Sequence, residues 1–181
     1  EYPRLWVIEG LGHYHGDTFY TEGVVPRKIL SGDEYRGLPA PALTMLHAGI
    51  GMAFGQHLMR TINHLSPRSE VQEVLKEYIH LCHDNSQPGY EGCALESLGL
   101  ISRHGQFYGE TSPTKMVQII SEELSKMDIE AYGYFWHGVG RATYFLPINF
   151  IPGYGSISHA TDMIRDIAPD DLALCNGISG L

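Results

Sequence analysis

GYFWHGVGRATYF, residues 133–145, decides how this chain is read. A histidine stands between a tryptophan and a Gly-Val-Gly step, and Arg141 follows closely. A phosphate-binding loop needs glycines that follow a strand, open a helix and wrap an anion. Here the Gly-x-small step lies inside helical sequence and no lysine comes after it. Small residues placed this way let a neighbouring helix come close, at a cost of about 1 kcal/mol per glycine relative to alanine. The stretch is therefore read as a helix-packing element and not as a phosphate loop.

The same step recurs along the chain, in VIEGLGHY around Gly10, LHAGIGMA around Gly49, GYEGCALE around Gly92, FWHGVGRA around Gly138 and LCNGISGL around Gly177. Each reads polar-or-small, Gly, apolar, small. The first glycines lie 39, 43, 46 and 39 residues apart. Between motifs come second helical segments, expected over 67–83, 113–127 and 156–167. Ser66 and Pro67 open the first of these, with an apolar stripe of Val71, Val74, Leu75, Tyr78, Ile79 and Cys82. Ser112 and Pro113 open the second, with Met116, Val117, Ile120, Leu124 and Met127. APDDLAL starts another helix at Pro169, with two acids where the helix dipole favours them.

A period near 40 residues containing two helices predicts an all-α fold of helical-hairpin repeats, an α-solenoid or α/α ring. Residues 1–181 are read as a single domain of this kind. Its first part is less regular: YPRLWVIEGLGHYHGDTFY fits strand or helix, and VVPRKILSGDEYRGLPAP reads as a connection. The last motif stops at Leu181, where the others continue into further helix, and the first residue is Glu1. An array cut there would expose an uncapped apolar face, so a longer chain is expected, its remainder serving as one partner.

At 43% hydrophobic and 18% charged, the composition is that of a folded protein. A net charge of −9 repels phosphate backbones and argues against nucleic acid as a partner. No apolar run approaches the roughly 18 residues of a membrane span, and no signal peptide is visible. Cys82, Cys93 and Cys175 lack the spacing of a zinc knuckle or a c-type haem site. They are read as buried small hydrophobes, with a Cys82–Cys93 disulfide as the alternative in an oxidising compartment.

Three segments, GYEGCALE, LHAGIGMAF and WHGVGRATYF, resemble the marks of a bacterial family of uncharacterised proteins encoded beside enediyne polyketide synthases. The resemblance touches about half the chain. It implies a bacterial origin and a setting in secondary metabolism, and it supplies no catalytic residues.

The ten histidines are many for this length. Glu9, Glu91 and His137 stand immediately before motif glycines, and His47 stands one position further back. If the motif helices line the inner wall of a curved array, these groups converge with Tyr90, Trp136 and Arg141 on one concave face. Glutamate and histidine there would suit metal ligation or proton transfer. The competing role is hydrogen bonding to neighbouring backbone in helix packing. His13, His15 and Asp17 have the form of an HxHxD metal cluster, which needs an extended strand to put alternate residues on one face. No Ser-His-Asp order is present. Three functions result: a binding or assembly module with a concave face for a protein partner or small molecule, an enzyme or accessory factor using a Glu/His-lined, metal-dependent pocket, and a periplasmic structural subunit of a larger complex.

Overall fold

Proline and glycine punctuation becomes helix boundaries in the computed structural model, which describes residues 2–23, 30, 35, 37–105 and 109–145. Among the described residues there are six helices: α1 (Tyr2–Glu22), α2 (Ala40–Met59), α3 (Arg68–Asn85), α4 (Glu91–Arg103), α5 (Pro113–Met127) and α6 (Ile129–Phe145). Among the described residues there is no strand. The described chain is all-helical, and the first segment resolves to helix. Gly23 ends α1 at φ +65°, its N–H donating to the Phe19 carbonyl at 3.1 Å, the left-handed helix stop that glycine adopts without strain. The predicted segment 156–167 and the motif around Gly177 lie outside the described residues.

The expected starts of α3 and α5 are close to those seen. Pro67, and not Ser66, takes the cap position of α3, while the Ser66 hydroxyl accepts a bond from the Asn63 N–H at 3.0 Å. Ser112 caps α5 by position, with Pro113 opening the helix, but the Ser112 side chain makes no capping bond. Only Asp128 separates α5 from α6. Its carboxylate accepts the N–H groups of Glu130 and Ala131 at 3.0 Å each, so it caps the new helix while turning the chain.

α3 and α5 are amphipathic. They bury Val71, Leu75, Tyr78 and Cys82, and Met116, Val117, Ile120 and Leu124 respectively, as the apolar stripes require. The motif helices are more enclosed, and α4 is buried continuously from Gly92 to Arg103. α2 packs against α1 on one side and α4 on the other, and α4 packs in turn against α6. Residues that meet rise in number together. Gly12 lies against Leu46 and Ile50, while Asp17 reaches His57. Gly51 lies against Ala94 and Gly55 against Ile101; Gly92 meets Tyr134 and Gly99 meets Val139. The four motif helices therefore run in the same direction. α3 and α5 return the chain and pack on this layer, with the buried Tyr78 hydroxyl donating to the Ala94 carbonyl at 2.6 Å.

The glycines supply the contact. A Cβ on Gly49 would overlap the Glu9 carbonyl, and one on Gly12 the Leu46 carbonyl. The α4–α6 crossing repeats this reciprocity, with Gly99 under Phe135 and Gly138 under Glu96. In α1 the packed glycines are Gly12 and Gly16; Gly10, the residue aligned by sequence, faces open space.

Candidate functional site

α1, α4 and α6 each contribute one charged side chain to a common cluster. Arg141 of α6 donates to Glu9 of α1 at 2.8 Å and to Glu96 of α4 at 3.4 Å. Glu96 is buried, at 3% side-chain exposure, whereas Glu9 and Arg141 retain 19% and 17%. The cluster thus has a closed inner end and an open outer end. Burial works against the guanidinium charge, but the two carboxylates outweigh it and hold the Arg141 pKa above its ordinary value. One guanidinium thus faces two carboxylates in a partly desolvated place, where charge interactions are stronger than in water. One helical turn beyond Glu9, His13 donates from Nε2 to Gln56 of α2 at 2.9 Å.

Of the predicted site residues, the structure brings Glu9 and Arg141 together. The others have separate surroundings. His47 is fully buried in α2: its Nδ1–H donates to the Leu43 carbonyl at 2.7 Å, and its Nε2 accepts the Gln87 N–H at 3.0 Å. That pairing fixes the neutral Nδ1–H tautomer. Burial lowers its pKa, outweighing the bond to Leu43 and the charge of Glu91. Tyr90 stacks on the His47 ring, with centroids 5.0 Å apart. Glu91 turns back to accept the Gly89 N–H at 2.8 Å, so its carboxylate holds its own loop. These three residues form a helix-end packing unit.

Trp136 points to the opposite side of α6 from Arg141 and donates its indole N–H to the Ser121 hydroxyl of α5 at 3.2 Å. Its indole N–H is directed to α5, whereas Arg141 is directed to α1 and α4. His137 is buried edge-on to Tyr134. The expected row of Glu9, Glu91 and His137 on one surface is therefore not assembled. Nor are His13, His15 and Asp17, because α1 is helical and alternate residues diverge. His15 bonds the Tyr35 hydroxyl at 2.6 Å, and Asp17 accepts from His57 Nε2 at 2.7 Å, beneath the stacked Tyr20 ring. Among the described residues no group of three His, Cys, Asp or Glu side chains is arranged to hold a metal. Cys82 and Cys93 are buried and form no disulfide with each other; Cys175 lies outside the described residues.

Sequence reasoning missed Glu96, although a single acid inside the apolar run GCALESLGL is itself a signal. A buried carboxylate must find a cation or several donors. It also missed Glu110, which ties two loops together. Glu110 accepts the His64 N–H at 2.8 Å, the His64 Nδ1–H at 2.6 Å and the Ser112 N–H at 2.6 Å. A groove of about 400 Å³ lined by Lys76, Ile79, His80, His83, Met127 and Asp128 lies apart from the cluster and contains none of the predicted site residues. No helix of the described residues is long and apolar enough to cross a membrane. The chain matches no known family model, no curated protein and no solved structure.

Proposed function

We propose that the chain is an α-helical repeat binding module whose motif helices form a curved layer, with its ligand or partner face at Glu9, Glu96 and Arg141. The observation that carries this reading is the 2.8 Å ion pair between the first and last described helices. Adjacent packed helices lie about 8–10 Å apart, so a flat row would separate α1 from α6 by roughly 24–30 Å. Paired side chains of Glu9 and Arg141 cannot span that distance, which favours a bent row with both on its inner side. The open end of the cluster presents the Glu9 carboxylate and suits a ligand or protein segment bearing ammonium or guanidinium groups. The alternative, a metal-dependent enzyme pocket, draws less support, because Glu91 and His47 are each held by local hydrogen bonds. A bacterial secondary-metabolism setting is compatible with either reading and rests on the motif resemblance.

The test is binding of fluorescent hexalysine and hexaglutamate peptides to the wild type, Glu9→Lys and Glu70→Lys. Glu70 is exposed on α3, away from the cluster. Hexalysine is expected to bind the wild type and Glu70→Lys similarly, and Glu9→Lys at least tenfold more weakly. Equal loss in both variants, or no binding, would reject the assignment of this face.

A further inference from the structure

Among the described residues, α1 packs through one side and leaves the other exposed. Gly12 and Gly16 face α2. The opposite side carries Trp6, Val7, Leu11 and Tyr14, exposed by 62%, 73%, 40% and 63%. Gly10 lies at the centre of this stripe, and a Cβ there would meet nothing within 4 Å. Gly10 aligns with Gly49 and Gly138, each of which lies under the backbone of the preceding motif helix. A glycine inside a helix costs about 1 kcal/mol, and within the described residues Gly10 returns no packing for it. Its place in an apolar stripe fits a second helix crossing there at close range.

We propose that this face is the contact between two copies of the chain, with the two α1 helices crossing antiparallel on a two-fold axis through Gly10. The stripe is self-complementary about that point. Trp6 and Tyr14 stand one turn to either side of Gly10, so the crossing lays each Trp6 over the partner's Tyr14. The charges agree with the antiparallel sense: exposed Arg4 near one end comes towards the partner's Asp17 near the other, whose half-exposed carboxylate accepts from His57 through Oδ1 and keeps Oδ2 for a second contact. A parallel crossing would set Arg4 against Arg4. One helix face buries less than the roughly 800 Å² per partner of a standard stable interface, so the dimer is reversible and concentration-dependent.

The experiment is oxidative cross-linking of Gly10→Cys in a Cys175→Ser background, with Leu65→Cys as the comparison. Leu65 is 79% exposed and lies away from α1. Gly10→Cys faces open space, so the fold is retained, which circular dichroism verifies. Thiols on a two-fold axis between closely crossing helices fall within disulfide reach. Gly10→Cys is expected to form a covalent dimer at least tenfold faster than Leu65→Cys, and adding Trp6→Glu should remove that advantage. Equal rates overturn the proposal. So does a Gly10→Cys thiol that stays monomeric, whether open to reagents or shielded by residues 146–181 of its own chain.

Discussion

Replacing Gly138 by alanine should destabilise the chain, while the same change at Gly10 should stabilise it. Both residues lie inside helices and align in the repeated motif, so intrinsic propensity favours alanine at each by about 1 kcal/mol. They differ in what the added methyl meets. At Gly138 it overlaps the Glu96 carbonyl and comes within 2.9 Å of the Leu100 nitrogen, both backbone atoms of α4. No rotamer change relieves such a clash, so α4 and α6 must separate. Overpacking of this kind costs about 1–3 kcal/mol, and a backbone-to-backbone contact belongs at the upper end. Subtracting the propensity gain leaves a net loss of about 1–2 kcal/mol. At Gly10 nothing opposes the gain. Urea denaturation followed by circular dichroism, at concentrations where the chain is monomeric, should move the two midpoints in opposite directions with unchanged slopes. Gly138→Leu should lower the midpoint further. If both alanine variants shift the same way, the glycines are not there to admit a neighbouring helix.

Three further outcomes follow from buried titratable groups. Burial alone would raise the Glu110 pKa, but its bonds from Ser112 and His64 outweigh that and lower it. Its stabilising contribution is therefore complete above the unfolded value near ~4.3 and is lost as pH falls through the folded value; Glu110→Gln should flatten acid unfolding there and cost about 1–3 kcal/mol at pH 7. The His47 pKa is lowered by burial, so stability begins to fall as pH drops below the unfolded value near ~6.5 and continues to fall until the folded value is passed. A His47→Gln variant should lose that slope in equilibrium unfolding measured across pH. Burial raises the Cys82 thiol to about 12, opposed by its bond with Tyr78; mass-spectrometric mapping at pH 8 should find it unlabelled by thiol reagents until the chain unfolds.

The helical class was legible because the prolines, glycines and apolar stripes are local signals. Stripes such as Val71–Leu75–Tyr78–Cys82 name their own buried face, and the chain buries them as read. The close approach at Gly49 and Gly138 was legible too, since a recurring small residue inside helices has few other uses. The first-motif register was not: Gly10 and Gly12 read alike, and only the position of α2 distinguishes them. The site was the least legible part. His47 and Glu91 differ from Glu9 only in what the fold brings to them, a stacked Tyr90 and a loop N–H in place of Arg141. Partners 132 positions apart leave no mark in local sequence. Glu96 did leave one, as a lone acid in an apolar helix.

The pairing of Glu9 with Arg141 is the observation on which both the proposed curvature of the motif layer and the proposed placement of a binding face rest. A double-mutant cycle tests it directly, using Glu9→Gln, Arg141→Met and the combination, with unfolding free energies measured at neutral pH. Arg141→Met alone should be the more damaging single change, because it removes the guanidinium that faces two carboxylates, one of them the buried Glu96. The account predicts a coupling energy of about 1–3 kcal/mol between positions 9 and 141. Additive losses, with no coupling beyond error, would contradict it: α1 and α6 would then not meet across the motif layer.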